Sequence, residues 1–158
     1  MNLFCFASRN QENITRGVHA GMWAVSTVSF SAMRARVTKA ERNLHPGARG
    51  LLYCNPLHSF TTPFVVESHA DLETVVADIW PEPWRLPFKI RALGDLSRQL
   101  PAREAVERWP ILQRRLAAIE GRGGVSAAMC FTGTTVFVPV PIEDKDWDLI
   151  LSDLATHD

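Results

Sequence analysis

The chain has 158 residues, of which 46% are hydrophobic and 22% are charged, and its formal net charge is zero. This length and composition fit a globular domain with a buried core, and they argue against a disordered tail or a fibrous repeat. No apolar run approaches the roughly 18 residues that a membrane span requires, and residues 1–7 are too short for a signal peptide, so we expect a cytoplasmic protein without a membrane partner.

The first third of the chain predicts strands and helices in alternation. The apolar run at residues 3–7 fits a buried strand, and the Asn-rich segment after it predicts a helix over residues 10–20. Residues 22–28 predict a second strand that carries Trp23. Residues 31–44 are rich in Ala, Arg and Met, which favours a second helix.

The middle of the chain predicts a β-hairpin and a stiff loop. Residues 50–54 and 64–67 have the composition of strands that pair across a loop at residues 55–62. Residues 80–87 contain three prolines, so we expect a loop without regular structure there. Alternating apolar and basic residues predict a strand at residues 88–93.

The last third predicts a broken helix, two strands and a closing helix. Residues 101–120 are expected to be helical in two pieces that meet at Pro110. Apolar runs predict strands at residues 125–131 and 135–140. Residues 143–154 predict an amphipathic helix with an acidic first turn.

These elements combine into a predicted single α+β domain over residues 1–158. Its sheet should be a curled mixed sheet or small barrel of about six strands with flanking helices. The three cysteines, Cys5, Cys54 and Cys130, lie in apolar surroundings and are interpreted as reduced core thiols.

Charge is distributed unevenly along the chain. Residues 1–50 contain seven Lys or Arg and two acids, whereas residues 143–158 contain six acids and one Lys. The basic part could form a face that contacts nucleic-acid phosphates, but solvated arginines on helix surfaces explain the pattern equally well.

Two of the five tryptophans, Trp80 and Trp84, lie in the proline-containing loop. A tryptophan held between prolines loses little freedom when a flat ligand stacks on it, and stacking is worth roughly 1–3 kcal/mol per base. The alternative is that both indoles close the open end of the sheet as part of the core.

Two motifs carry a resemblance to a known family. Residues 6–14 read Phe-Ala-Ser-Arg-Asn-Gln-Glu-Asn-Ile, and residues 21–24 read Gly-Met-Trp-Ala. The chain resembles the YTH domains, in which a strand ends in Ser, a Glu-Asn pair opens a helix and a Gly-x-Trp follows about ten residues later. Trp80, followed by Phe-Lys-Ile at residues 88–90, is also similar to this family, whereas Arg9 stands where YTH domains usually have Asn.

The second half of the chain resembles the related EVE domains. Residues 46–52 place Pro-Gly ahead of a strand, and a Trp-Pro segment leads into a basic and apolar strand. Both families have the PUA-like fold, so the resemblance implies a PUA-like sheet. The acidic end of this chain departs from the basic ending of YTH domains.

The resemblance implies a reader that holds one flipped, modified base in an aromatic cage. Trp23 would form one wall and Trp80 or Trp84 the other, while the amide of Asn13 would meet the polar edge of the base. The residues implied to contact the base are Ser8, Asn13, Trp23, Ala24, Trp80 and Trp84. The candidate contacts to backbone phosphates are Arg34, Arg36, Lys89 and Arg91.

The implied ligand is N6-methyladenine in DNA or RNA, or a methylated or hydroxymethylated cytosine in DNA. A methyl group adds apolar area inside the cage, at about 25 cal/mol per Å² buried. The EVE resemblance favours DNA and a restriction or defence system, in which a nuclease or motor subunit on another chain would act.

We expect no catalysis and no cofactor. The five histidines have no metal-ligand spacing with the cysteines, and the sequence has no Cys-x-x-Cys or phosphate-binding glycine loop. Glu143-Asp144-Lys145 has the acid-x-Lys pattern of metal-dependent nucleases, but we interpret it as the acidic start of a helix.

Two other classes of function remain open. An adaptor would bind a partner protein through the acidic C-terminal helix, which carries Trp147, Leu151 and Leu154. A small-molecule-binding PUA-like domain is the third class. Salt-sensitive binding of nucleic acid would distinguish the reader from the adaptor.

Overall fold

Strands from the whole length of the chain form one curled, mixed sheet in the computed structural model, which describes residues 1–26 and 29–156. The main path through the sheet is β2-β6-β4-β3-β1-β8, with β5 beside β6 and β7 beside β4. Strands β1 and β3 are parallel, and the other pairs are antiparallel. The strands are β1 (Asn2–Ser8), β2 (Met22–Ser26), β3 (Arg49–Cys54), β4 (Ser59–Val66), β5 (Val75–Val76), β6 (Trp84–Ala92), β7 (Gln99–Pro101) and β8 (Val140–Pro141).

Six helices in the described residues flank this half-barrel, which confirms the predicted α+β fold. Helix α1 begins after Asn10, whose side chain accepts the backbone N–H of Asn13, and it ends at Gly21 in the left-handed conformation. The predicted break at Pro110 is confirmed, because α4 starts there. The helices are α1 (Gln11–Ala20), α2 (Phe30–Asn43), α3 (Ala102–Arg108), α4 (Pro110–Ala118), α5 (Gly124–Ala128) and α6 (Asp144–Leu154).

Both faces of the sheet are buried against apolar cores. Along β1, Phe4 and Phe6 belong to the first core, whereas Leu3 and Cys5 belong to the second. Helices α1 and α2 contribute to the first core, and α3 to α6 contribute to the second. Because alternate residues of a strand point to opposite faces, burial on both sides explains the continuous apolar run at residues 3–7.

The predicted strands near the end of the chain are wrong. Residues 125–131 mostly form α5 and the turn after it, and residues 135–140 contribute only Val140 to a strand. A short apolar run cannot distinguish a strand from a buried helix turn, and Ser126-Ala127-Ala128 is a good helical sequence.

The proline-containing loop is shorter than predicted, because residues 84–87 belong to β6. The register of β2 against β6 shifts between Trp23 and Val25, so Leu86 and Pro87 both face Ala24. Pro87, which has no N–H to donate, therefore lies at a bulge where the hydrogen-bond ladder is already interrupted.

Two other predicted boundaries also change. Residues 59–62, predicted as loop, are part of β4, which pairs with β3 as the expected hairpin. Residues 27–28 of the predicted second strand lie outside the described residues.

In the part of the chain that the structure describes, we find no helix with the length and apolarity needed to span a bilayer.

The cysteines are free and buried, as predicted. Burial raises the pKa of the Cys5 and Cys54 thiols, because a buried thiolate loses its hydration. We therefore expect the folded protein to be inert toward Ellman's reagent at about pH 8, where an exposed thiol reacts readily. The same assay in denaturant should count three thiols, and rapid stoichiometric labelling of the folded protein would contradict this assignment.

Candidate functional site

A cavity of about 210 Å³ lies where the end of β1 and the middle of β2 meet α2 and the start of β6. The structure brings five of the six predicted base-contacting residues together on its lining. These five residues are Ser8, Asn13, Trp23, Ala24 and Trp84. A neighbouring cavity of about 150 Å³ shares Asn13 and Trp84 with it and is also lined by Pro81 and Glu82.

Ser8 and Asn10 fix the turn that leads from β1 into the cavity. The Ser8 hydroxyl donates to the backbone carbonyl of Asn10 over 2.7 Å, and it accepts the backbone N–H of Asn10 over 3.4 Å. The Asn10 side chain then accepts the backbone N–H of Asn13 over 2.8 Å. The motif Ser-x-Asn-x-x-Asn thus closes the strand end and starts α1, and it directs Asn13 toward the cavity.

Asn13 lines both cavities and carries an unpaired acceptor. The residue is only 9% exposed, and its Oδ1 atom is buried without a hydrogen-bond partner among the described residues. A buried polar atom that lacks a partner costs about 1–3 kcal/mol. An N–H group of a ligand would satisfy this acceptor if the amide turned toward the cavity.

Three tryptophans pack against one another beside Asn13. The rings of Trp80 and Trp84 are stacked, with centroids 4.2 Å apart and an interplanar angle of 13°. Trp23 meets both of them edge to face, at 5.9 Å from Trp80 and 5.3 Å from Trp84. Trp80 also donates its indole N–H to the backbone carbonyl of Asn13 over 3.0 Å.

This geometry distinguishes the two candidates for the second wall. Trp84 lines the cavity together with Trp23, whereas Trp80 lies behind Trp84 and supports it. The indoles of Trp23 and Trp84 are inclined at 77°, so they form an aromatic corner. A base that stacks on both indoles would require one of them to rotate.

The position of Trp23 is set by close packing against α1. A Cβ atom on Gly17 would lie 2.8 Å from the Trp23 ring and 2.9 Å from the Met22 carbonyl oxygen. Only glycine therefore fits at this point of the helix. Gly17 was not among the predicted site residues, although a glycine inside an amphipathic helix is a signal of close approach.

The candidate phosphate contacts do not all reach the cavity. Arg36 lines it, and its Nη1 donates to the Ser26 carbonyl over 3.4 Å. Burial lowers the pKa of Arg36, because the half-buried guanidinium loses part of its hydration. Lys89 and Arg91 are exposed on β6 and do not line the cavity, although Lys89 pairs with Met22, next to Trp23. Arg34 lies on α2 and does not line this cavity.

Two parts of the lining were not predicted. Arg9 lines both cavities and forms an exposed ion pair with Glu82 at 3.3 Å, which links the end of β1 to the proline-containing loop. Phe131, Thr132 and Gly133 reach the cavity from the segment after α5. No local signal in the sequence identifies this segment as part of the site, since the contact arises from the tertiary fold.

The remaining candidates for chemistry lie in structural positions. Glu143 caps α6 and Asp144 begins it, which confirms that the acid-x-Lys pattern is a helix start. Within residues 1–26 and 29–156 we find no group of three or more His, Cys, Asp or Glu side chains placed to hold a metal ion.

No protein-family model matches the sequence, and no curated protein matches it significantly. Solved structures do match, and the similar ones include YTH domains. The Pho92 YTH domain in complex with m6A aligns over 96% of this chain and 82% of that chain, with 16% identity and a TM-score of 0.57. The MmI1 YTH domain aligns over 94% and 92%, with 11% identity and a TM-score of 0.54.

A third YTH domain comes from the MRB1 protein of Zygosaccharomyces rouxii, in complex with N6-methyladenosine RNA. It aligns over 69% of this chain and 67% of that chain, with 20% identity and a TM-score of 0.50. These similarities show that the chain has the YTH-type fold, as its motifs predicted.

Proposed function

We propose that the protein is a non-catalytic reader that takes one modified base of a nucleic acid into the cavity between Trp23, Trp84 and Asn13. The observation that carries this proposal is a cavity that Asn13, Trp23 and Trp84 line together, with the Oδ1 atom of Asn13 buried and unpaired among the described residues. A flat group with an N–H on its edge is the ligand that this combination fits. The m6A named for the Pho92 and MRB1 structures is such a group.

Adenine and cytosine both offer an exocyclic N–H to an acceptor such as Asn13 Oδ1. N6-methyladenine retains one N–H and adds a methyl group that an aromatic corner can bury. Ala24 lines the cavity opposite the bulge of β6, where the regular ladder is interrupted, and its backbone carbonyl is the proposed second contact to the base edge. We therefore propose N6-methyladenine first, with modified cytosine as the alternative.

Single-stranded nucleic acid is the proposed form of the partner. Taking a base out of a duplex costs a few kcal/mol, and a strand without pairing avoids most of this cost. A role in restriction or defence, with a nuclease or motor on another chain, remains part of the proposal that the EVE resemblance suggests.

The adaptor is the weaker alternative. Trp147 and Leu154 of α6 are buried in the second core, so these side chains are not available to a partner protein. Leu151 is half-buried, and the exposed residues of this helix are Asp144, Lys145, Asp148 and Ser152. An adaptor would have to bind through charge, without the apolar residues that the sequence suggested.

Tryptophan fluorescence tests the reader directly. We expect a single-stranded oligonucleotide with N6-methyladenine to quench fluorescence and to bind about fourfold more tightly or better than its unmodified counterpart, because a buried methyl group is worth about 0.8 kcal/mol. Matched DNA and RNA oligonucleotides with 5-methylcytosine or 5-hydroxymethylcytosine test the alternative bases. No response to any oligonucleotide at low salt would reject the reader.

A further inference from the structure

The charged side chains on the cavity lining are all positive, and recognition of a neutral base does not require them. The described residues that line it include two arginines and no acid. Arg9 is paired with Glu82 outside the cavity. Arg36 has no ion pair among the described residues, and its described hydrogen bond is the long one to the Ser26 carbonyl.

Arg36 therefore brings a cation with unused donors to the site. A guanidinium has five N–H donors in a planar fork, and the Ser26 contact occupies one side of it. The group is half-buried on α2, so water satisfies it only in part. Such a fork matches the paired oxygens of a phosphate, which it binds with two parallel hydrogen bonds.

We propose that Arg36 binds the backbone phosphate of the same nucleotide whose base enters the cavity. The site would then recognise a nucleotide as one unit, with Asn13 on the base edge and Arg36 on the phosphate. This inference rests on the proposed reader function. It assigns a position to the phosphate beside a residue that lines the cavity, which Lys89 and Arg91 do not.

The test compares nucleosides with nucleotides. N6-methyladenosine, 5-methylcytidine and the 5′- and 3′-monophosphates of both are titrated into the protein, and the indole N–H resonances are followed by NMR. We expect one monophosphate to bind about tenfold more tightly than its nucleoside, since a hydrogen bond to a charged group is worth about that factor. Inorganic phosphate alone serves as the probe of an anion site independent of the base.

Arg36→Gln should abolish the preference for the monophosphate over the nucleoside. Arg42→Gln is the matched control, because it removes the same charge from the exposed end of α2, and it should keep the preference. Thermal denaturation of both variants verifies that they fold. Arg36→Lys should recover part of the preference, because it restores the charge without the fork.

Different failures of this experiment have different meanings. Equal binding of nucleoside and nucleotide by the wild type, or an unchanged preference in Arg36→Gln, would overturn the role of Arg36 and leave the reader intact. Inorganic phosphate that binds as tightly as the nucleotide would also overturn it. Binding of neither nucleosides nor nucleotides would reject the reader function, and the inference with it.

Discussion

Replacing Trp23 with alanine is expected to lower the free energy of unfolding by about 3–5 kcal/mol, in addition to removing a wall of the cavity. Trp23 is 1% exposed and packs against Gly17 of α1 and against the edges of Trp80 and Trp84. The truncation would leave a large hole that the rigid contact with α1 cannot fill. Urea denaturation followed by circular dichroism measures the loss.

This loss of stability would also affect the binding measured for Trp23→Ala. Loss of binding in Trp23→Ala would reflect partial unfolding as well as the missing wall. Trp23→Phe is the matched control, because it keeps an aromatic ring in the core and should lose less stability. A change below about 1 kcal/mol for Trp23→Ala would contradict the burial described for this indole.

The parts of the site that could be predicted from the sequence depend on local chemistry. The turn after β1 follows from the Ser8 hydroxyl and the Asn10 cap, both of which act within a few residues. Trp23 was found in the same way, because Gly21 ends α1 and the next strand begins at once. A resemblance to a family is most dependable over such segments, since the same short-range bonds recur.

The parts that could not be predicted depend on contacts between distant segments. Phe131 and Thr132 reach the cavity only because α5 turns the chain back toward β1, and the sequence of this region predicted a strand. Arg36 could not be distinguished from Lys89 by composition, because both are basic residues of surface elements. The structure distinguishes them, because α2 packs beside the end of β2 and brings Arg36, but not Lys89, to the cavity.

The surroundings of the three tryptophans depend on strand pairing that short-range sequence patterns do not predict. Prolines on either side of Trp84 predicted a rigid loop, but pairing with Ser26 and Val76 makes this residue part of β6. The alternative of core indoles holds for both residues, and stacking of a base on Trp84 stays a prediction. Trp80 fills the core behind the cavity, as the structural alternative expected, while Trp84 is both buried and on the cavity wall.

Replacing Asn13 with alanine is expected to weaken binding of the modified base about tenfold without loss of stability. The backbone bonds of this residue, from its N–H to Asn10 and from Trp80 to its carbonyl, do not involve the side chain. Truncation removes a buried acceptor that lacks a partner and introduces the best helix former. In the complex, the N–H of the ligand would be left buried and unpaired, at a cost of about 1–3 kcal/mol.

Urea denaturation and fluorescence titration of the same preparation measure the two effects together. Thr15→Ala is the matched control, because it truncates an exposed polar residue of α1 outside the cavity and should change neither quantity much. Unchanged affinity together with a clear loss of stability would show that the Asn13 amide serves the fold, and the base would then have to be recognised elsewhere. If the Asn13 amide serves the ligand, Asn13→Ala should bind the base more weakly and be at least as stable as the wild type, because the amide contributes nothing to the stability of the protein without ligand.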